Sequence, residues 1–254
     1  MTDDATARLL DRFLTDVRAL APVAVWAHGS LAGGDYQEDR SDLDLIAVLE
    51  GPISLGTRRK VVRLHHRLRA DEPLAKKLHC SYLTPDTMVG AQRSYLTWAH
   101  NHLLKRPVTP VTRRELHAFG LVLHGKPPEG LLPPTPDREL NAFVVRDQEE
   151  FWRPMVRKAR LWKQDVWVDL GMVTFARATV TLREGRLISK REALQALPGL
   201  GAPVDVVEDI RRRRYEDPAP PTEEWTARRA ELTRAYLGPA MDGLVATYER
   251  LTRA

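Results

Sequence analysis

Apolar and polar positions in the first half of the chain alternate between two periods. Apolar residues recur every three to four positions from Leu9 to Leu20 and from Thr57 to Leu68, which predicts two amphipathic helices. Short apolar runs at Val23–Ala27, Asp42–Leu49 and Leu78–Leu83 predict strands. Residues 1–125 are therefore expected to form an α/β or α+β domain.

Proline and glycine accumulate in residues 126–136, which read KPPEGLLPPTP. Proline cannot continue a helix or pair inside a central strand, so this segment is predicted to be a linker. Residues 137–254 then have helical spacing, which predicts a helical bundle and an α+β chain overall. The expected helices are Asp137–Phe151, Val168–Arg183, Lys190–Leu197, Val204–Tyr215 and Thr222–Thr252, the last open to a break at Gly238-Pro239.

Composition is that of a folded protein, with 43% hydrophobic and 29% charged residues. The N-terminal segment has acids where a secretory signal has bases, and no run approaches the roughly eighteen apolar residues of a membrane span. We therefore expect a cytoplasmic protein without a membrane partner. A single cysteine, Cys80, excludes an internal disulfide, and no Cys/His set has the spacing of zinc ligands.

A net charge of +5 favours anionic partners, but a nucleotide, a nucleic acid and an acidic protein all satisfy it. The run Arg211–Arg214 continues a helical pattern and is flanked by acids. This is typical of a solvated helix face with one or two arginines turned toward a ligand. Without an RNA-binding module or a basic stripe interleaved with aromatic residues, a nucleic-acid partner is not expected.

The residues that could bind a ligand or catalyse a reaction begin at the end of the first predicted strand. Gly29 permits close backbone approach and Ser30 can cap a helix whose start offers N–H groups to triphosphate oxygens. Asp42 and Asp44, two residues apart in a strand, place both carboxylates on one face. Such a pair suits Mg²⁺, and two ions about 3.5–4 Å apart can clamp a phosphoryl displacement. The alternative is a plain turn beside an edge strand, which the apolar run Leu43–Val48 disfavours.

Gly-Ser, a short spacer and Asp-x-Asp in an apolar strand resemble the DNA polymerase β-like nucleotidyltransferase superfamily. In the second half, Thr174–Arg177, Thr181–Lys190 and Arg214-Tyr215 resemble the helical domain of the aminoglycoside 3''-adenylyltransferases, which add AMP to streptomycin or spectinomycin and so cause antibiotic resistance. The resemblance implies ATP as co-substrate and two Mg²⁺ ions. It further implies that Asp42 and Asp44 form a catalytic metal site. The residues implied for the nucleotide site are Gly29, Ser30, Arg177, Lys190 and Tyr215.

In those transferases a third carboxylate lies on a neighbouring strand, and His79 occupies the matching position here. A neutral imidazole can accept a proton near neutral pH, so His79 is a candidate general base. Two alternatives stay open. His79 is a structural histidine, or the strand is displaced and Asp71, Glu72 or Asp86 is the acid.

The positions of two cations in the predicted helices of the second half are unusual, and their sequence surroundings suggest why. Arg177 lies in an apolar helix, where a buried cation needs an anionic partner, either a triphosphate or an acid such as Asp169 or Glu192. Lys190 begins a helix, where the dipole does not favour a cation, so a ligand explains it better than helix stability does. A plain surface lysine is the alternative.

Aromatic and acidic residues cluster before the Arg177 helix and suit a cationic, hydroxyl-rich acceptor, although tryptophans at such spacings are also typical of a core. The expected acceptor-binding residues are Trp162, Asp165, Trp167 and Asp169, with Trp152 nearby. We thus expect a monomer that transfers a nucleoside monophosphate from a nucleoside triphosphate to a small hydroxylated acceptor. The rival functions are transfer to a protein or RNA, as in nucleotidyltransferase-type antitoxins, and nucleotide binding without catalysis.

Overall fold

The computed structural model describes residues 4–38, 40–87 and 94–253, and the chain divides into two compact units, residues 1–135 and 136–254. The first unit is built on a six-stranded mixed sheet and the second is helical, which gives the expected α+β fold class. Residues 126–135 of the predicted linker belong to the first unit, where Leu132 is buried in the core.

The sheet of the first unit has the strand order β5-β4-β3-β2-β1-β6. Strands β2 and β3 are parallel, and the other neighbouring pairs are antiparallel. The elements are α1 (Asp4–Val17), β1 (Pro22–His28), α2 (Gly29–Ala32), β2 (Leu43–Leu49), α3 (Leu55–Asp71), β3 (Leu78–Leu83), β4 (Ser94–Ala99), β5 (His102–Pro107), α4 (Pro110–Phe119) and β6 (Leu121–Gly125).

Both faces of this sheet are covered, because alternate residues of its central strands point to opposite sides. On one side, Leu43, Leu45 and other apolar residues pack against α1 and α3. On the other side, Ile46 and Val48 pack with Leu116 of α4. Strand β2 is therefore central and buried on both faces, which explains its apolar run and excludes the edge-strand alternative.

The second unit contains the five predicted helices. Its elements are α5 (Asp137–Arg146), a π-helical turn (Asp147–Trp152), α6 (Arg153–Val156), α7 (Asp165–Glu184), α8 (Lys190–Ala196), α9 (Val204–Tyr215) and α10 (Glu223–Arg253). The prediction of a break at Gly238-Pro239 is wrong, because α10 continues through it. None of the described helices is long and apolar enough to cross a lipid bilayer.

Helix ends follow from local capping chemistry. Ser54 caps α3 by accepting a hydrogen bond from the Thr57 N–H, and Thr109 caps α4 in the same way. Ser189 and Glu192 form a capping box at the start of α8. At the other end of α7, Gly185 has a φ of +69°, a left-handed conformation that stops the helix at little cost for glycine.

Candidate active site

Three side chains from three adjacent strands lie in one row on the α4 side of the sheet. Asp44 of β2 is paired in register with His28 of β1 and with His79 of β3. Residues directly opposite each other in a sheet share a face. The Nδ1 atom of His79 is 3.5 Å from Asp44 Oδ1 and 3.9 Å from Asp42 Oδ2. The fold thus brings Asp42, Asp44 and His79 together at the start of β2.

Gly29 lies against this row for two physical reasons. Its φ is +65°, which side chains rarely adopt, and a Cβ placed there would be 2.9 Å from Asp44 Oδ2. Glycine therefore allows the backbone to approach the carboxylate. The expectation that Ser30 caps the next helix is wrong, because Ser30 lies inside α2 and the N-cap position is His28. Helix α2 also has only four residues, so its dipole offers little. What the turn offers is the Ser30 hydroxyl and neighbouring backbone N–H groups.

The loop between the Gly-Ser turn and Asp42 is held by its own hydrogen bonds. Ser41 is buried, and its hydroxyl accepts from the Gln37 N–H at 3.0 Å. The Ser41 N–H donates to the Gln37 carbonyl at 2.7 Å, and the Asp35 N–H donates to the Ser30 carbonyl at 3.0 Å. These bonds fix the residue that precedes Asp42, so the two halves of the motif keep a defined spacing.

Both aspartates present oxygen atoms to solvent, with side chains 44% exposed for Asp42 and 35% for Asp44. Within the described parts of the chain, no group of three or more His, Cys, Asp or Glu side chains is arranged to hold a metal ion. Mg²⁺ in phosphoryl-transfer sites is commonly held by one or two carboxylates together with substrate phosphates. Two accessible carboxylates on one face meet that requirement for an ion that binds with the nucleotide.

His28 of the row and two of its neighbours, Glu115 and His100, were not predicted as site residues. Glu115 of α4 is buried, and its Oε2 atom is 3.5 Å from His28 Nδ1. That contact is an ion-pair distance only, since His28 Nδ1 makes no hydrogen bond to any described residue. The ring of His100 packs edge-on to His79 with centroids 4.8 Å apart. Burial, followed by the charges of His79 and Arg106, lowers the pKa of His100. His28 stands beside Gly29 in the sequence, but Glu115 lies on α4, which the pattern did not predict.

The alternative acids lie elsewhere in the first unit. Asp71 ends α3 and forms an ion pair with Arg12 at 3.1 Å. Asp86 lies in the 3-10 turn that follows β3 at its carboxyl end, whereas His79 is near the start of that strand. Glu72 is separated from β3 by the 3-10 turn Pro73–Lys77. Among these candidates, His79 is the residue in register with Asp44.

In the second unit, Arg177 contacts the segment that leads into α8. Its Nε donates to the Ile188 carbonyl at 2.8 Å. Of the two acids considered as its partners, Glu192 belongs to the α8 capping box and Asp169 pairs with Arg213. Arg177 thus holds the loop that ends at Lys190, the first residue of α8.

Tyr215, at the end of α9, has arginines on its ring. The Arg191 guanidinium lies 4.3 Å from the ring centroid and that of Arg214 lies 5.5 Å away. Arg214 Nε also donates to the Tyr215 hydroxyl at 3.2 Å. The start of α8 and the end of α9 therefore meet, and Arg191, which the sequence did not single out, joins the predicted residue Tyr215.

The predicted acceptor residues have different surroundings. Trp162 is fully buried against Gly171, and its indole N–H donates to the Met155 carbonyl at 2.9 Å, so it is a core residue with no surface for a ligand. Trp167 stacks on Phe151, which is 45% exposed, with centroids 6.4 Å apart. Asp165 pairs with Arg229 at 2.5 Å and Asp169 pairs with Arg213, so neither acid is a free counter-charge.

The chain is similar to known proteins in sequence and in fold. Residues 10–120 match the family model described as a nucleotidyltransferase domain. The fold is similar to the crystal structure of spectinomycin adenyltransferase AAD(9) from Enterococcus faecialis with ATP and spectinomycin. That similarity has a TM-score of 0.72 and 16% sequence identity, and it covers 93% of this chain and 99% of that chain. No curated protein sequence matches.

Proposed function

We propose that this chain, whose residues 10–120 form a nucleotidyltransferase domain, transfers AMP or another nucleoside monophosphate from a nucleoside triphosphate to a hydroxyl of a small, aminoglycoside-like acceptor, with release of pyrophosphate. The observation that carries the proposal is the row of Asp44 and His79 beside Asp42 and Gly29. Carboxylates, a potential base and an open backbone turn at one point are what nucleotidyl transfer requires.

The Gly-Ser turn would hold the triphosphate. Because Gly29 has no side chain, phosphate oxygens can come close to the backbone at the point where it meets Asp44. The Ser30 hydroxyl would donate to the β- and γ-phosphates. Asp42 and Asp44 would hold Mg²⁺, which when bound neutralises phosphate charge and polarises the α-phosphate. Lys77, whose Nζ is 4.0 Å from Asp42 Oδ1, partly balances the two carboxylates.

His79 would take the proton from the attacking hydroxyl. Its Nδ1 atom is 3.5 Å from the Asp44 carboxylate and 3.9 Å from that of Asp42, which places the ring beside the proposed metal site, where the acceptor hydroxyl would attack. His100 packs against the ring from the side and limits its rotation. The proton leaves the hydroxyl as its oxygen attacks the α-phosphorus, the bond to the β-phosphate oxygen breaks, and pyrophosphate departs.

The second unit would supply cations for the phosphates and contacts for the acceptor. Arg177, Lys190 and Tyr215 remain the proposed nucleotide residues, supported by the concentration of positive charge around Tyr215. Trp167, with the exposed ring of Phe151 beside it, is the proposed aromatic contact for the acceptor. Asp165 and Asp169 are left out as counter-charges because each is paired with an arginine. Trp162 is left out because it is buried.

The test measures ATP binding with Mg²⁺ by calorimetry and pyrophosphate release with streptomycin or spectinomycin added. We expect release that depends on the drug. His79→Asn should lower the rate about 10²- to 10⁴-fold, the usual contribution of a general base, and Asp42→Asn and Asp44→Asn should lower it at least as much. Asp11→Asn makes the same chemical change on the exposed side of α1 and should leave the rate unchanged.

Three results would contradict parts of this proposal. Unchanged nucleotide binding and turnover in Asp42→Asn would exclude a metal site at Asp42 and Asp44. A His79→Asn enzyme with normal turnover and an unchanged pH profile would give His79 a structural role. Tight ATP binding without pyrophosphate release for any acceptor would instead support the alternative of a nucleotide-binding protein that has lost catalysis.

A further inference from the structure

Helix α3 has an unusually basic outer face. Its sequence, LGTRRKVVRLHHRLRAD, has five arginines and one lysine against one acid. The apolar residues Val61, Leu64 and Leu68 are buried in the core. The cations are all exposed, and we call them the α3 basic face: Arg58, Arg59, Lys60, Arg63, Arg67 and Arg69.

The charge of this face is not compensated. Across the described residues, none of the five arginines lies within salt-bridge distance of a carboxylate. The acid of the helix, Asp71, pairs with Arg12 at 3.1 Å. Like charges held close together on one helix repel one another, so this arrangement costs stability unless something anionic binds it.

The face is also concave at two places. A groove of about 470 Å³ between the end of α1 and α3 is lined by Lys60, Arg63, His66 and Arg67, together with Asp16, which already faces Arg12 at 3.4 Å. A second groove of about 540 Å³ is lined by Arg58, Arg59 and Arg63 with Leu103 of β5. Lys105, two residues after Leu103 in β5, points to the same side and is exposed.

The row of cations is long enough to cover several phosphates of a duplex strand. Arg59, Arg63 and Arg67 follow one another every four residues, about 6 Å apart along the helix axis and about 12 Å in all. A nucleic-acid duplex carries one phosphate per strand for about every 3.4 Å of its axis, so three or four phosphates fall within that length. One guanidinium group can donate two parallel hydrogen bonds to the oxygens of one phosphate, whereas a lysine ammonium cannot. A surface made mainly of arginines is therefore well suited to binding phosphates.

The same surface does not suit other anionic partners as well. An interfacial helix needs an apolar face for the lipid, and the apolar face of α3 is buried in the core. Single-stranded nucleic acid needs exposed aromatic rings for base stacking. The nearby Trp98 is only 2% exposed and is stacked on His65 with centroids 4.7 Å apart. We infer that the α3 basic face is a docking surface for the sugar-phosphate backbone of duplex nucleic acid, a partner that the sequence pattern alone did not predict.

This surface is separate from the candidate active site. Helix α3 packs on the side of the sheet that carries Leu43 and Leu45, whereas Asp44 points to the α4 side. The inference therefore does not depend on the proposed transfer reaction. Duplex binding should persist within about twofold in Asp42→Asn, so failure of either proposal can be recognised without the other.

The test is fluorescence anisotropy with labelled duplexes of about 20 base pairs, one of DNA and one of RNA with the same sequence. Both should bind with similar affinity, because the contacts are to phosphates. The triple variant Arg59→Gln, Arg63→Gln, Arg67→Gln should bind at least about tenfold more weakly and lose about 2.7 from the slope of log K against log salt, at 0.9 per phosphate contact. The matching Arg→Lys triple should fall between it and the unchanged protein.

A control variant with the same charge change, Arg138→Gln, Lys158→Gln, Arg160→Gln, alters exposed positions of the second unit and should bind within about twofold of the unchanged protein. Equal losses in both triples would reduce the effect to net charge and overturn the inference. So would the absence of duplex binding at low salt, equal displacement by polyglutamate at the same charge concentration, or tighter binding to anionic phospholipid vesicles. Circular dichroism should show both triples folded.

Discussion

Helices α3 and α9 are both rich in arginine, but they differ in whether these arginines are paired with carboxylates. In α9, Arg211 is held by Glu208 and Glu216, each at 2.7 Å, and Arg213 is held by Asp209 and Asp169. In α3, the five exposed arginines have no carboxylate partner among the described residues. The continuous run in the sequence is thus the neutralised one, and the dispersed arginines form the charged surface. A count of charges along a chain does not reveal which of them are paired.

The pairing in α9 serves the packing of the second unit. Arg229 of α10 is fully buried, and it donates to Asp209 at 2.9 Å and to Asp165 of α7 at 2.5 Å. Trp225 Nε1 also donates to Asp209, at 3.0 Å. One carboxylate of α9 therefore accepts from several donors, and the network joins α7, α9 and α10.

The largest expected effect comes from breaking this network. Asp209→Ala should lower the free energy of unfolding by about 3–5 kcal/mol, because it leaves buried Arg229 with one carboxylate partner and Trp225 without an acceptor. Asp205→Ala, in the exposed first turn of the same helix, should cost less than about 1 kcal/mol. Urea unfolding of both variants measures the difference. A loss below about 1 kcal/mol for Asp209→Ala would mean that the network adds no more than surface pairs do.

A smaller effect concerns the inner face of α3. Burial, with a contribution from the charge of His66, lowers the pKa of His65 to about 3, and His65 Nε2 lies 2.8 Å from the Tyr82 hydroxyl. Below pH 6.5 this histidine becomes protonated in the unfolded chain but stays neutral in the folded chain. The free energy of unfolding therefore falls as the pH falls from 6.5 toward 3. The free energy of unfolding should drop by about 2 kcal/mol between pH 7 and pH 5.

The comparison protein for this measurement is His65→Gln, which cannot titrate at that position. It should be less stable than the unchanged protein at pH 7, because the Tyr82 contact is altered, but it should lack most of the decline. Parallel pH curves for the two proteins would show that His65 is not responsible.

The smallest effects compare one surface charge from each helix. Hydrogen bonds from Arg211, and then Arg212, lower the pKa of Glu208 to about 2. Because this side chain is 39% exposed, Glu208→Gln should cost at most about 1 kcal/mol at pH 7. That stabilisation is present above pH 4.5 and is lost as the pH falls toward 2, so the two proteins should converge there. Arg63→Gln in α3 should change stability by less than about 0.5 kcal/mol at any pH.

The motif strands could be read from the sequence because β1, β2 and β3 are short apolar runs with local signals. The elements in the later part of the first unit could not be predicted in the same way. Strand β5 and strand β6 expose most of their residues, so they lack the alternation of a half-buried strand. Because the pattern did not predict α4, Glu115 was not predicted either, although its carboxylate lies 3.5 Å from His28 in the row with Asp44 and His79.

By itself, the sequence determined the α+β class, the helices of the second unit and the proximity of Asp42 to Asp44, because periodicity and strand geometry act over a few residues. Tertiary structure decided the rest. Pairing of β2 with β1 and β3 brought His28 and His79 to Asp44, burial made Trp162 a core residue, and folding neutralised Arg211 and Arg213 while leaving α3 charged. Apart from the local pairs of Arg211 with Glu208 and Glu216 and of Arg213 with Asp209, these outcomes depend on contacts between residues far apart in the chain, and a local pattern does not specify the partner.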